Sequence, residues 1–279
     1  MITTVQEILG REEKVISYAS PEDSLVKRII INSIELSTGR RRVEKAYQAL
    51  KSLGINDARV WSHVFPLLDI QLRFNEEALD QIPSSGPTIL IANHPYGVAD
   101  GMALGYTLSR RREDFLLIVN GVLCREKVLG KYFLPIDFRE NRKALMTNIA
   151  TRKKAISHLK NGGAIGIFPS GGVSTTPNLL SRKAQDLDWK KFVNKLVRTS
   201  GADVIPVFFK GQNSRAFQVA SHIHANVRLA LLLNELDRKK GKEIEFIIGD
   251  RMRHEHLERV HREDLLPYLK KKTFELCHE

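Results

Sequence analysis

The chain has 279 residues, a formal net charge of +12, and 42% hydrophobic and 7% aromatic residues. This length and composition predict an ordinary globular protein with one large domain, or one domain with an extension, and argue against a disordered chain. Cys124 and Cys277 lie far apart, which argues against a disulfide framework and favours the reducing cytoplasm.

The positive charge favours anionic partners, namely lipid headgroups, an acidic carrier protein or nucleic acid. Residues 1–7 lack the basic-then-apolar order of a signal peptide, and no apolar run approaches the roughly 20 residues that span a bilayer. We therefore expect peripheral contact with an anionic membrane surface, at the inner face of the cell membrane. Most single basic clusters are better explained as solvated helix faces and helix C-termini, whereas the excess of positive charge as a whole is not.

The sequence pattern of residues 1–66 predicts an N-terminal helical extension. Apolar residues recur at helical spacing between residues 43 and 50, and Gly54 is a plausible helix end. An apolar stretch with basic neighbours covers 24–36, and an aromatic, apolar patch covers 60–66. Such segments either lie in a membrane interface or pack on the following domain, and the sequence favours neither.

From residue 67 to 279, strand and helix patterns alternate. The predicted strands are 68–74, 88–93, 115–119, 133–138, 164–168, 203–209 and 244–248. The predicted helices are 101–111, 143–160, 189–199, 226–236 and 263–275. This alternation predicts an α/β layered fold with a mostly parallel sheet of about seven strands flanked by helices. Ligands of such sheets bind beyond the carboxyl ends of the strands.

A histidine and an aspartate follow the second predicted strand, in the segment Asn93-His94-Pro95-Tyr96-Gly97-Val98-Ala99-Asp100. The strand end places His94 in a loop, and Asp100 lies where a helix begins, which suits an N-cap. A carboxylate beside an imidazole is also the minimum arrangement for a general base. Gly97 and Gly101 permit a tight backbone between them. The alternative is a loop histidine beside a capping aspartate.

Three later segments lie at the end of a predicted strand or within one. In 133–141, Arg139 carries a guanidinium that suits a phosphate or carboxylate, unless it pairs with a neighbouring acid. In 167–172, Ser170-Gly171-Gly172 forms a small-residue loop, either an anion-binding nest or a plain turn. In 204–207, Pro206 interrupts an apolar strand and is alternatively an edge-strand proline.

In this order, the four segments resemble the motif blocks of the PlsC-like lysophospholipid and glycerolipid acyltransferase superfamily, over roughly residues 67 to 250. The N-H-P-x-G-x-x-D-G form of the first block is similar to the branch usually labelled hemolysin-type. Some members of that branch resemble acyltransferases of amino-acid lipids such as ornithine lipid. The resemblance also implies the same α/β fold.

The resemblance implies an O-acyltransferase that moves a fatty acyl chain from acyl-carrier protein or coenzyme A to the hydroxyl of a lysolipid. His94 would be the base and Asp100 its orienting partner. Arg139, Ser170, Gly171 and Gly172 would bind the acceptor headgroup, and Pro206 would shape the acyl pocket. The thioester is the co-substrate, and no metal or cofactor is expected.

The chain departs from the family pattern at three points. Five residues separate His94 from Asp100 where the family has four. Phe138 precedes Arg139, which leaves Arg142 as an alternative arginine. Ser170 replaces the glutamate of the third block and so removes a negative charge. That change favours a lyso-amino-acid lipid, such as lyso-ornithine lipid, over lysophosphatidic acid, and both acceptors stay open.

Two other classes of protein compete with this interpretation. A non-catalytic membrane-binding or nucleic-acid-binding protein would suit the charge, but no helix-turn-helix, ribonucleoprotein or zinc signature is present, and we expect no nucleic acid. An esterase would suit the His/Asp pair, but there is no G-x-S-x-G elbow. The remaining histidines, including the pairs 222/224 and 254/256, form no recognisable metal set.

Overall fold

A computed structural model of the chain describes residues 40–125, 127–223 and 225–278. Within these residues, seven strands form one sheet in the order β1-β7-β6-β2-β5-β3-β4. The strands are β1 (Ile70–Arg73), β2 (Thr88–Ala92), β3 (Phe115–Asn120), β4 (Phe133–Ile136), β5 (Ala164–Ile167), β6 (Asp203–Phe209) and β7 (Lys242–Ile248). Neighbours are parallel except β6 and β7. The predicted mostly parallel sheet is confirmed.

Helices flank the sheet on both faces. They are α1 (Arg40–Ser52), α2 (Trp61–Leu68), α3 (Val98–Ser109), α4 (Arg142–Lys160), α5 (Phe192–Ser200), α6 (Arg215–Ile223), α7 (Ala225–Asp237), α8 (His254–Arg259) and α9 (Leu265–Glu275). The sequence patterns did not predict α6 or α8. The apolar stretch 24–36 and His224 lie outside the described residues.

The strand β2 lies at the centre of the sheet and is buried on both faces. Successive side chains alternate between two cores: Leu90 packs in one, and Ile89 and Ile91 pack in the other. The first core joins β2 to α1, α2, α3 and α7, and the second joins it to α4, α5, α8 and α9. A strand covered on both faces carries an apolar run without alternation, which is why its position was predictable.

The aromatic patch at 60–66 packs on the domain. Trp61 is completely buried and Phe65 nearly so, whereas Leu67 remains partly exposed. Of the two alternatives for this segment, packing therefore accounts for its aromatic residues. In the part of the chain that the structure describes, no helix has the length and apolar character needed to cross a bilayer.

Trp61 contacts α3 at a residue without a side chain. A β-carbon at Gly105 would overlap the indole ring of Trp61. Tyr132 and Phe133 pack edge-on against the same ring, with centroids 5.7 and 6.3 Å away. The ring therefore has little room to move, and it fixes α2 against the helix that starts at the His94 loop.

Replacing Gly105 by alanine should destabilise the fold. Alanine favours a helix over glycine by about 1 kcal/mol. We expect the overlap with Trp61 to outweigh this gain, because overpacking typically costs about 1–3 kcal/mol. Urea unfolding of Gly105→Ala measures the net loss. Gly101→Ala is the matched control, since a β-carbon there lies 4.0 Å from Phe168. Equal stability of the two variants would contradict the close contact.

Candidate functional site

The loops that follow β2, β5 and β6 meet at one edge of the sheet, because these strands are parallel. Asn93 ties two of them together. Its Nδ2 donates to the carbonyl of Phe209 at 2.9 Å, and its Oδ1 accepts the N–H of Phe209 at 2.7 Å. The side chain thus extends the pairing of β2 with β6 by one step and fixes the start of the His94 loop.

His94 and Asp100 are brought together as predicted. His94 Nδ1 lies 3.0 Å from Asp100 Oδ2, and the Asp100 side chain is fully buried. The same oxygen accepts the N–H of Tyr96 at 3.0 Å. Because a carboxylate only accepts hydrogen bonds, it favours the tautomer with the proton on Nδ1. The Nε2 atom is then the unprotonated nitrogen, and 16% of the His94 side chain is exposed.

Asp100 is not the N-cap of its helix, contrary to our expectation. The helix α3 begins at Val98, so Asp100 lies in its first turn. Gly97 occupies the cap position with φ of 84°, a conformation that favours glycine. A β-carbon at Gly97 would lie 2.7 Å from Leu232 Cδ2. This glycine accommodates the longer spacing while Asp100 still reaches His94.

The imidazole and the backbone of His94 are held from several sides. Its ring stacks on the ring of Phe168, with centroids 3.9 Å apart and planes 19° apart. Its carbonyl accepts the N–H of Ser174 at 2.7 Å, and its N–H donates to Asp186 Oδ1 at 3.0 Å. The long loop after β5 therefore positions the histidine.

Asp186 organises that loop and was missed by sequence reasoning. Besides the N–H of His94, its carboxylate accepts the hydroxyl of Ser174 at 2.5 Å and the indole N–H of Trp189 at 3.0 Å. These partners lie 92, 12 and 3 residues away in the chain. A partner set of this kind has no local signature, so no spacing in the sequence would have identified it.

A cavity of about 700 Å³ opens beside His94. Its walls are mostly apolar and come from α1, α2, α3 and α7, from β3 and from the loops after β4 and β5. His94, Gly171 and Gly172 lie on the wall. Arg139, Ser170 and Pro206 do not line it. Of the seven residues predicted for the site, three therefore line this cavity, and Asp100 lies behind His94 without lining it.

Arg139 is engaged by an acid next to it. Its Nη2 lies 2.6 Å from Asp137 Oδ2, and its Nε lies 3.0 Å from Oδ1. This hydrogen-bonded pair lowers the pKa of the Asp137 carboxyl. Asp137 lines the cavity, whereas Arg139 and Arg142 line a separate shallow pocket at the start of α4.

Ser170 and Pro206 both contact neighbouring backbone within the fold. Ser170 is buried, and its hydroxyl donates to the carbonyl of Gly172 at 3.0 Å. Gly171 has φ of 68° and donates its N–H to Phe168, so the segment forms a tight turn. Pro206 pairs with Ile91 in a strand between β2 and β7, so it is not the edge-strand proline that we considered.

Tyr96 connects the His94 loop to the loop that follows β6. Its hydroxyl donates to the carbonyl of Lys210 at 2.6 Å, and the ammonium of Lys239 lies 3.5 Å from its ring centroid. Burial raises the pKa of Tyr96 to about 12 and lowers the pKa of Lys239 to about 8. Within residues 40–125, 127–223 and 225–278, no group of three potential ligands is arranged for a metal ion.

Removing the Asp186 carboxylate should loosen the loop after β5. Asp186→Ala leaves three donors without their acceptor, and hydrogen bonds to a charged group contribute about 1.5–3 kcal/mol each. We expect the free energy of unfolding to fall by about 2 kcal/mol or more in a urea titration. The exposed residue Asp188 provides the matched control, Asp188→Ala. Indistinguishable stabilities would show that the three contacts contribute little.

Two curated proteins are similar to this chain. A lyso-glycine lipid O-acyltransferase of Phocaeicola vulgatus is 29% identical over 188 residues, which is 62% of each protein. A lyso-glycine lipid O-acyltransferase of Bacteroides thetaiotaomicron is 28% identical over 181 residues, 62% of this chain and 63% of that protein. The matches thus span less than two thirds of these relatives.

A solved structure also resembles this chain. The crystal structure of the 1-acyl-sn-glycerophosphate acyltransferase PlsC from Thermotoga maritima gives a TM-score of 0.49 at 14% identity, covering 91% of this chain and 97% of that chain. The family model described as acyltransferase matches residues 59–278, which include the dyad, the cavity loops and all seven strands. The chain therefore belongs to the acyltransferase family.

Proposed function

We propose that this protein transfers a fatty acyl chain from a thioester to the hydroxyl of a lysolipid, with His94 as general base and Asp100 as its orienting partner. The observation that carries the proposal is the His94–Asp100 pair, whose histidine lies on the wall of a large apolar cavity. A proton acceptor and a place for an acyl chain are the two requirements of the reaction, and here they adjoin.

In the proposed reaction, His94 Nε2 accepts the proton of the acceptor hydroxyl while the oxygen of that hydroxyl attacks the carbonyl carbon of the thioester. A C–O bond forms, the C–S bond breaks, and the thiolate leaves with the proton that His94 received. Asp100 stabilises the imidazolium in between. No serine or cysteine nucleophile is required, since a thioester is already activated.

The cavity supports a long-chain substrate. Burial of an acyl chain contributes about 0.8 kcal/mol for each methylene group, so an apolar cavity favours long chains over short ones. The residues of α1 and α2 that face the cavity are apolar, including Val43, Leu50 and Val64. For the donor we propose acyl-carrier protein or acyl-coenzyme A, both of which are anionic and suit the net charge of +12.

For the acceptor we propose a lysolipid with an amino-acid headgroup. The similar proteins from Phocaeicola vulgatus and Bacteroides thetaiotaomicron carry the name lyso-glycine lipid O-acyltransferase. Ser170 is neutral where the family has a glutamate. The absence of that negative charge removes a repulsion that would act on a headgroup with its own carboxylate. Lysophosphatidic acid is the competing acceptor, and Arg139 stays a predicted headgroup residue for either.

Replacing His94 by alanine should reduce acyl transfer by about a hundredfold or more, as for loss of a general base. Asp100→Asn should be nearly as damaging, because an amide favours the wrong tautomer of His94. Transfer is measured with purified enzyme, a long-chain acyl thioester and lyso-glycine lipid or lysophosphatidic acid.

Circular dichroism and urea unfolding of the same preparations separate loss of chemistry from loss of fold. His94→Gln is the matched variant, since it retains a polar side chain but no base. A folded His94→Ala enzyme with near-normal transfer would refute the mechanism. Rapid hydrolysis of the thioester at a rate that does not depend on the lysolipid would instead favour an esterase.

We also propose that the protein binds the surface of an anionic membrane near the cavity mouth. Phe138 lines the cavity and is 58% exposed, and Leu145 and Met146 on α4 are similarly exposed. Arg139, Arg142 and Lys143 lie between them in the chain. Apolar side chains interspersed with cations are typical of a surface that enters the headgroup region.

High salt should release much of the protein from vesicles that contain anionic lipid, because screening weakens the attraction of its cations. Vesicle sedimentation measures the bound fraction, and neutral vesicles provide the control. Leu145→Ser combined with Met146→Ser should weaken the binding that persists in high salt. Protein that stays bound through both salt and alkaline extraction would contradict peripheral association.

A further inference from the structure

Arg228 lies on the cavity wall, on the helix α7, and the sequence did not single it out. Its Nη2 donates to the carbonyl of Val173 at 3.0 Å. The side chain is half-buried. The guanidinium therefore faces a largely apolar space with one of its five N–H groups bound to a neutral carbonyl.

The charge of Arg228 has no acidic partner among the residues that the structure describes. None of the ion pairs in that part of the chain includes it, whereas Arg42, Arg112 and Arg139 each pair with an aspartate. Burial without a counter-ion lowers the pKa of Arg228. A cation removed from water without an anion is costly, and an anionic ligand would offset that cost.

The same guanidinium contacts the loop that holds the backbone of His94. A β-carbon at Gly172 would lie 3.4 Å from Arg228 Nη2. Val173, which accepts its hydrogen bond, directly precedes Ser174, whose N–H binds the carbonyl of His94 at 2.7 Å. A short, continuous segment of the loop after β5 thus connects the cation to the base.

Other cations near the cavity are placed differently. The guanidinium of Arg152 stacks over the ring of Phe192 at 5.3 Å, and the side chain of Lys190 is exposed. Arg139 binds Asp137 and lies off the cavity wall. Arg228 therefore combines three properties: it lines the same cavity as His94, it lacks a described acidic partner, and it contacts the loop that binds the His94 backbone.

We propose that Arg228 binds the carboxylate of the acceptor headgroup and thereby selects amino-acid lysolipids. This inference rests on the proposed function for the identity of the acceptor. A guanidinium offers a planar fork that binds both oxygens of a carboxylate. With the headgroup held there, the acceptor hydroxyl would be presented to His94 while the acyl chain of the lysolipid remains in apolar surroundings.

The test compares lyso-glycine lipid with its methyl ester, which has the same chain and hydroxyl but no negative charge on the headgroup. Binding is measured by calorimetry below the concentration at which the lipids aggregate, and acyl transfer is measured separately. The variants are Arg228→Gln, Arg228→Lys and Arg139→Gln. Arg262→Gln, at an exposed site between α8 and α9, controls for loss of one positive charge.

The wild-type protein should bind the free acid about tenfold to a hundredfold more tightly than the ester, the range expected for charge-assisted hydrogen bonds. Arg228→Gln should abolish this preference by weakening the acid alone. Arg228→Lys should retain part of it, because the charge remains without the fork. Arg262→Gln should behave as wild type.

Equal preference for the acid in wild type and Arg228→Gln would overturn the inference, as would loss of the preference in Arg139→Gln alone. A uniform loss of binding to both lipids would also overturn it, because that pattern indicates a packing role. The binding readout separates this inference from the proposed function. Discrimination that depends on Arg228 without any acyl transfer would refute the function and retain the binding site.

Discussion

A buried carboxylate needs hydrogen-bond donors, and Asp100 Oδ2 meets two nitrogens, the backbone N–H of Tyr96 and Nδ1 of His94. Both come from the loop that leaves the central strand. The loop must therefore fold back over the first turn of α3, which the positive φ of Gly97 permits. Asp100 consequently fixes the end of β2, the start of α3 and the imidazole of His94 relative to one another. The other strands and helices form the surroundings of this group.

The surroundings divide into polar and apolar parts. The loop after β5 supplies hydrogen bonds through Ser174 and Asp186, which hold the backbone of His94. The helices α1 and α2 supply apolar walls on the other side of the cavity. Such a division would let the proposed proton transfer take place beside an apolar site for a hydrocarbon chain. It also gives the half-buried Arg228 an environment in which an anion would be strongly preferred.

The features that the sequence predicted are those that depend on residues close together in the chain. All seven strands were predicted near their observed positions because each carries either an apolar run or, as in β1 and the first half of β7, apolar residues that alternate with polar ones. The dyad was predictable because its members lie six residues apart. Asp100 was wrongly expected at the N-cap, since the positive φ with which Gly97 caps α3 is not visible in a sequence pattern. Asp186 and Arg228 were not predicted, because their partners lie 92 and 55 residues away.

The reversal of β7 determines where the end of the described chain lies. Since β7 runs antiparallel to β6, its carboxyl end at Ile248 pairs with Val207, which is level with Ala92, and the chain then runs away from His94 as far as the bridge between Met252 and Val204. Leu276 packs against the position of Gly249 just beyond that end. A fluorescent reporter attached beyond residue 278 would thus begin close to the turn at Gly249, where Leu276 is held on the sheet, and would report on detachment of the C-terminal segment from it.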